Sequence, residues 1–514
     1  MKQANKNFLT NIIHLIVNIA VGVLYTPYLV KSVGVVAYGI VPLALVINQY
    51  INVISLSLVN ALTRFYSIEY RNGNRERASK YFSTSIVVGV VFSVILYPML
   101  HIGIGYVDHY FNIPVELLSD AKLLFRFTVA SFFLSIISNC INTTLFADNL
   151  LDYVNYLKIT RQAFKFILNI GFFVLLQTNI LYIGLANLVT EFVVLLLSIY
   201  FYRHTKPVGI HFCYSLYSKT YLVTMLGMVV WVLLQRFSDT FLYKIDSILM
   251  NVYFGIKMTG IIGAVSEFGT YVTSVTTILS SLFAPLLLIR YSKKQWADYK
   301  QMTVDGAYIV GLFSGLLCAL LCGSAPTLLE LWLGHDFANY GLWMTIKLIV
   351  IPYTTAGAMF ANGYLYANYN KRPAIVSLML AVLNVFVNIC LLHVFSSVIM
   401  FLVVCLIFVL MQGLCMNIWF YNHIYKSGFK PVMRDTVKYT IYMILIMTLT
   451  YATDSVFNIH TLLQLFVVYL IVFIVGIVVI DSIFLKPRHR EMLIEIIPIY
   501  GNLRMKITKS LIRS

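Results

Sequence analysis

Residues 8–62 read FLTNIIHLIVNIAVGVLYTPYLVKSVGVVAYGIVPLALVINQYINVISLSLVNAL, and Lys31 is the only Lys, Arg, Asp or Glu among them. Two apolar runs, 8–30 and 36–62, flank a short turn. Each run is long enough as a helix to cross about 30 Å of hydrocarbon. A transmembrane barrel would instead show short segments of alternating polarity, so the runs predict spanning helices.

The same pattern continues along the chain. The spans predicted are 8–30, 36–62, 82–105, 118–146, 152–176, 180–202, 218–248, 257–285, 303–324, 340–367, 373–393, 396–420, 436–453 and 461–485. The fold class expected is therefore all-α and polytopic, with about fourteen transmembrane helices. Of the 514 residues, 60% are hydrophobic and 11% charged, with a mean hydropathy of +0.84. A soluble domain averages about 25% charged residues, so this composition could not cover a soluble surface. The basic start resembles a signal peptide. Its apolar part outruns an h-region and lacks a small-residue cleavage site, so a retained first helix is expected.

The net charge of +17 does not point to nucleic acid, because the cations sit in short loops. With the N-terminus inside, the inner segments carry Lys2 and Lys6, then Arg64 through Lys80, Lys158, Arg203 to Lys219, Arg290 to Lys300, Lys371 and Arg372, and Lys426 to Lys438. The outer segments carry Lys31, Lys257 and acids such as Asp108, Glu116, Glu330, Asp336 and Asp454. One missed helix would invert this alternation downstream. The expectation is a multi-pass plasma-membrane protein with both termini cytoplasmic.

The chain also reads as duplicated. Residues 32–42, SVGVVAYGIVP, match 253–263, YFGIKMTGIIG, pairing Gly34 with Gly255, Gly39 with Gly260 and Ile40 with Ile261. ILNIGFF (167–173) matches FVNICLL (386–392) at nearly the same offset. An even number of helices per repeat preserves orientation, so the repeats are parallel. The organisation expected is an N-lobe (1–210), a C-lobe (211–425), two added helices (426–485) and a basic tail (486–514), either lying on the membrane surface or disordered. Each lobe would hold six helices.

The stretch YLVKSVGVVAYGIVPLALVINQYINVISLSLVNALTRFYSIEYRNGNRERASKYF (28–82) opens its second helix with a Gly-x4-Gly turn and leads through Ala61, Leu62, Thr63 and Arg64 into a basic loop. This resembles the polysaccharide and O-antigen repeat-unit flippases of the multidrug/oligosaccharidyl-lipid/polysaccharide exporter superfamily, and the resemblance covers most of the chain. It implies a V-shaped, two-lobed carrier working by alternating access. The implied substrate is an oligosaccharide on an undecaprenyl pyrophosphate anchor, flipped to the outer leaflet for surface polysaccharide, O-antigen, capsule or exopolysaccharide. Membrane lipids and polysaccharide polymerase or assembly proteins are the implied partners, with no nucleic acid and no cofactor. A cation-coupled multidrug exporter and a polysaccharide polymerase or ligase are the alternatives.

Ionisable side chains inside a bilayer are costly and mark functional candidates. VVWVLLQRFSDTFLYKIDSILM (229–250) places Arg236 and Asp239 on one helical face. An Arg fork suits paired phosphate oxygens, with Asp239 orienting it or accepting a coupling cation. The structural alternative is an intrahelical salt bridge. Lys244 and Asp246 fit snorkelling to the outer interface. Lys347, Arg126, Arg161, Lys165 and Arg64 complete the candidate substrate contacts, against snorkelling or topological anchoring. Glu191 and Glu267, read as lone intramembrane carboxylates, are candidates for carrying a coupling proton, against a purely structural hydrogen bond. Asp305 opens the ninth span. Asn384 and Asn388 are one turn apart. In related lipid-linked-precursor flippases, an Asn and an Asp at this spacing resemble part of a sodium site with a seventh-helix Asp. Here Asn388 replaces the acid, and interhelical hydrogen bonding is the competing reading.

The seven cysteines are scattered, and Cys318 and Cys322 lack a partner pair, so no metal site is expected. No GxxxxGK[ST] and no HExxH occurs, so the chain is expected neither to hydrolyse ATP nor to act as an enzyme.

Overall fold

The computed structural model describes residues 2–205, 210–367 and 369–496. Lys206 and the tail beyond Ile496 lie outside the described residues. Among those described there is no strand. The helices are α1 (Lys2–Tyr38), α2 (Ile40–Arg71), α3 (Arg75–Gly105), α4 (Val115–Ala147), α5 (Leu151–Leu175), α6 (Ile180–Thr205), α7 (Lys219–Phe254), α8 (Ile256–Ser292) and α9 (Trp296–Gly323). They continue as α10 (Ala325–Leu333), α11 (Gly341–Leu348), α12 (Ile351–Tyr366), α13 (Lys371–Val394), α14 (Val398–Leu410), α15 (Asn417–Tyr425), α16 (Lys430–Phe457), α17 (Leu462–Val479) and α18 (Pro487–Ile496).

Twelve helical segments among the described residues are long and apolar enough to span, and the bent α7 makes a thirteenth. The sequence reading counts α5 as well. Lys158, Arg161 and Lys165 recur there at helical spacing and keep α5 below that apolarity. The all-α polytopic class therefore stands, with the count set by how this charged helix is treated.

The chain divides into two compact units. The first comprises Met1–Ala264 and Ala374–Val398, the second Val265–Pro373 and the residues from Ile399 onward. In the first unit, Leu62, Tyr66, Phe82, Phe132, Ile136 and Cys140 form the core between α2, α3 and α4. In the second unit, α9 is buried on nearly every side, as an all-round apolar helix requires. Tyr299, Val310 and Leu316 of α9 pack with Phe360, Tyr421, Tyr439, Tyr442 and Val472.

Two features show how local sequence sets local structure. Gly34 (φ +80°, ψ 158°) breaks α1, and Gly255 (φ +83°, ψ 176°) ends α7. This is a backbone region open to glycine at little cost. The two repeat-related glycines thus make the same turn. Their successors then meet: a Cβ on Gly39 would lie 2.2 Å from the Ile256 carbonyl oxygen, and one on Gly260 would lie 2.6 Å from that of Val35. The helix starts at α2 and α8 pack backbone to backbone here.

A polar ladder joins α1 to α5. Lys6 pairs with Asp152 at 2.7 Å, Asn155 donates to the Thr10 hydroxyl at 3.1 Å, and Gln162 donates to Asn18 at 2.6 Å. Since both partners advance together, the two helices run parallel.

The structure corrects two expectations. Asp305 does not open its span. It lies well inside α9, buried, 3.0 Å from Arg488 and 3.3 Å from His489. The start of the tail is not loose: α18 packs Met492 and Leu493 onto the second unit's core. Its basic residues had suggested a solvated segment, whereas a buried acid holds them.

Candidate functional site

The first unit brings the seventh-span acid into a polar network. On α7, Gln235 Nε2 donates to Asp239 Oδ1 at 2.9 Å and to Ser377 Oγ of α13 at 3.0 Å. Ala374, Ser377, Ala381, Asn384 and Asn388 are all fully buried, at the three- and four-residue spacing of one helical face. Met379, Val382, Leu383 and Phe386 are exposed on the other side. An apolar back and a polar, small-residue front are what a membrane helix needs to place polar groups away from lipid. Asn388 Nδ2 donates to Asn384 Oδ1 at 2.8 Å, so this bond lies within α13.

Asp246 follows Asp239 by two turns and is buried. It is not exposed as the snorkelling reading expected, and it lies within electrostatic reach of Tyr50 on α2. Tyr50 is held by ring contacts with Phe237 and Phe241 at 5.9 and 6.2 Å. Arg236 is exposed beside this network. Sequence reasoning missed Gln235 and Ser377. Their signal was present: a Gln in an apolar run one turn before Asp239, and a Ser two turns before Asn384.

A second cluster lies on α1, α5 and α6. Arg161 binds Glu191 through two bonds, Nε to Oε1 at 2.5 Å and Nη2 to Oε2 at 3.0 Å. Glu191 is therefore not the lone carboxylate expected from sequence. Lys165, one turn on, stands 5.6 Å from the Tyr25 ring centre. His14 and Lys158 are within electrostatic reach of Arg161, and neither was singled out as a candidate from sequence.

The remaining candidates stand apart. Arg126 on α4 has its Nε buried without a hydrogen-bond partner. Lys122, one turn earlier, pairs with Asp108 at 3.1 Å, and this bond holds the Asp108 carboxyl below its usual range. Arg64 is exposed near the end of α2. Lys347 (α11) and Glu267 (α8) belong to the second unit. The first unit also holds a cavity of about 460 Å³ lined by apolar side chains including Ile47, Leu100, Phe125 and Ile248, which suits hydrocarbon rather than an ionic ligand. No group of His, Cys, Asp and Glu suited to a metal ion occurs among the described residues.

Residues 6–172 match the MatE family model. The uncharacterized membrane protein EpsK of Bacillus subtilis (strain 168) is 26% identical over 381 residues, covering 74% of this chain and 75% of that protein. Among solved structures, an inward-facing multidrug resistance MATE family transporter of the MOP superfamily superposes with a TM-score of 0.65 at 13% identity, over 82% of this chain and 98% of that one. The lipid II flippase MurJ in an inward closed conformation superposes with a TM-score of 0.63 at 12% identity, over 94% and 98%. The resemblance read from the glycine turn and the loop charges is thereby borne out as a resemblance: the first third of the chain matches the MatE family model, and the described residues share the fold of the MATE transporter and of the lipid II flippase.

Proposed function

We propose that this protein flips an oligosaccharide linked to undecaprenyl pyrophosphate across a bacterial plasma membrane, by alternating access and without an enzymatic step of its own. The observation that carries the reading is the sign of the intramembrane charge in the first unit. Around the middle of α5, Lys158, Arg161 and Lys165 gather with His14 against one acid, Glu191. Charge of one sign within a membrane-spanning segment is costly unless it is compensated, and a pyrophosphate is a compensating cargo. Arg236 adds an exposed guanidinium on α7, where its fork can take two phosphate oxygens. The flippase structure also covers a larger share of this chain than the multidrug transporter does. The expected partners are membrane lipids and the polymerase and assembly proteins of the same polysaccharide, and both termini are assigned to the cytoplasm from the loop charges.

A cation-coupled multidrug exporter is the second reading. It is favoured by the similarity to multidrug transporters and by the buried acid Asp246 with nearby Asp239. In cells that depend on this gene for surface polysaccharide, Arg236→Ala is expected to abolish export while the protein remains in the membrane. Wild-type export by that variant would remove Arg236 from the substrate path.

A further inference from the structure

Arg161 and Glu191 form their ion pair near the middle of α5 and α6, with side chains 29% and 13% exposed. A guanidinium carries five N–H donors. The two bonds to Glu191 engage Nε and Nη2, which leaves other N–H groups on a partly accessible edge. The acids of α1, α5 and α6 are only Asp152 and Glu191, and Asp152 is engaged by Lys6. The other charged or titratable groups close to the pair are His14 on α1 and Lys158 and Lys165 on α5. Lys122 and Arg126 belong to α4, the helix packed most extensively on α6, and lie nearer its start. The acids of α4, Glu116 and Asp120, lie in its first two turns, so Glu191 is the carboxylate paired with Arg161 where His14 and Lys158 are also within reach.

Resting on the flippase reading, we propose that Glu191 is an internal stand-in for the substrate's phosphate. It holds Arg161 while the site is empty and yields the guanidinium to an incoming phosphodiester or pyrophosphate oxygen. The displaced carboxylate, left in a poorly solvated position, takes up a proton. The one bond that changes is an O–H bond: a proton from solvent hydronium adds to the Glu191 carboxylate on binding and returns to water on release. The physical basis is competition between two anions for one fork, in surroundings where an unpaired carboxylate favours its neutral form. Anion binding and protonation of Glu191 are therefore linked, each strengthening the other. Arg161 serves as substrate contact and Glu191 as its positioning and coupling partner.

The test uses the full chain in nanodiscs of zwitterionic lipid. The probe is a short-chain polyprenyl-pyrophosphate disaccharide, whose diester oxygens do not titrate between pH 5.5 and pH 8.5, a working range of about three units. Wild type is expected to bind it more tightly as pH falls, with up to one proton taken up per molecule. Glu191→Gln, which mimics the protonated acid, should bind at least about tenfold tighter at the alkaline end, as removal of a nearby opposing charge implies, and lose most of the pH slope. His14→Gln should retain the slope. A parallel titration with phosphatidylglycerol separates the substrate from an ordinary anionic headgroup. Equal affinities for the two would overturn the assignment to substrate phosphate. A flat pH profile in wild type, or a slope unchanged in Glu191→Gln, would overturn the exchange while leaving the flippase reading intact. Failure of wild type to bind the probe at any pH would overturn both. The wild-type pH profile and proton uptake decide the question even if Glu191→Gln folds poorly.

Discussion

Replacing Gly39 by Ala tests the close crossing of the two repeat turns. The added Cβ would sit 2.2 Å from the Ile256 carbonyl oxygen, with Gly260 N and Ile256 C at 3.1 Å. All three are backbone atoms, so no side chain can rotate away. Bringing the first contact to an ordinary separation of about 3.5 Å requires α2 and α8 to part by roughly 1 Å locally. Overpacking of this kind costs about 1–3 kcal/mol, equivalent to a shift of roughly 5- to 150-fold in an equilibrium. Gly260→Ala meets the Val35 oxygen at 2.6 Å and should act in the same direction. Gly34→Ala is the control. Its Cβ meets nothing within 4 Å but its φ of +80° is unfavourable, so it should lose stability without parting the turns. Spin labels at the repeat-related positions Ser32 and Tyr253, in a cysteine-free background, report the separation by pulsed dipolar spectroscopy. The expected result is a longer-distance population in Gly39→Ala and Gly260→Ala and none in Gly34→Ala. Unchanged distributions in both crossing variants would refute the claim that backbone contact at these glycines sets this state.

Three further predictions follow from individual contacts. Cys213 is exposed between α6 and α7, and its 3.0 Å contact with the Ser215 hydroxyl pulls the thiol below its ordinary value; a membrane-impermeant maleimide should label it readily in inside-out vesicles and not in right-side-out ones, and the reverse would invert the assigned topology. Asp305→Ala leaves His489 buried without its acid partner and should cost about 1–3 kcal/mol, read as a lower Tm and faster proteolysis within α18. Asp108, held below its usual range by Lys122, favours the folded pairing above its unfolded value and loses that contribution as pH falls through the lower folded value. The 106–114 loop should accordingly resist protease at pH 6 and open only in strong acid, with Asp108→Asn open at both.

Hydropathy and loop charge made the helical class and most span positions legible, because lipid leaves few other ways to satisfy a backbone. The shared turn at Gly34 and Gly255 was legible because a positive φ restricts the residue type. Pairings between distant helices were not. Arg161 and Glu191 are thirty residues apart, and the sequence alone carries no register for α5 against α6, so Glu191 read as a lone acid. The Asp305–His489 contact bridges 184 residues, and a tail rich in cations gave no sign of the buried acid that receives it. Gln235 and Ser377 were passed over because uncharged polar residues in an apolar run look ordinary until a neighbouring helix is placed against them.

The most direct measurement of the central claim is translocation in liposomes holding only this protein and a fluorescent undecaprenyl-pyrophosphate oligosaccharide, with leaflet exposure read by a membrane-impermeant quencher. Wild type is expected to move the lipid, and Arg236→Ala and Arg161→Ala to slow it at least about tenfold, as loss of a charge-assisted contact implies. Liposomes that leave this lipid in place yet accumulate a cationic dye against its gradient would contradict the account and establish the exporter instead.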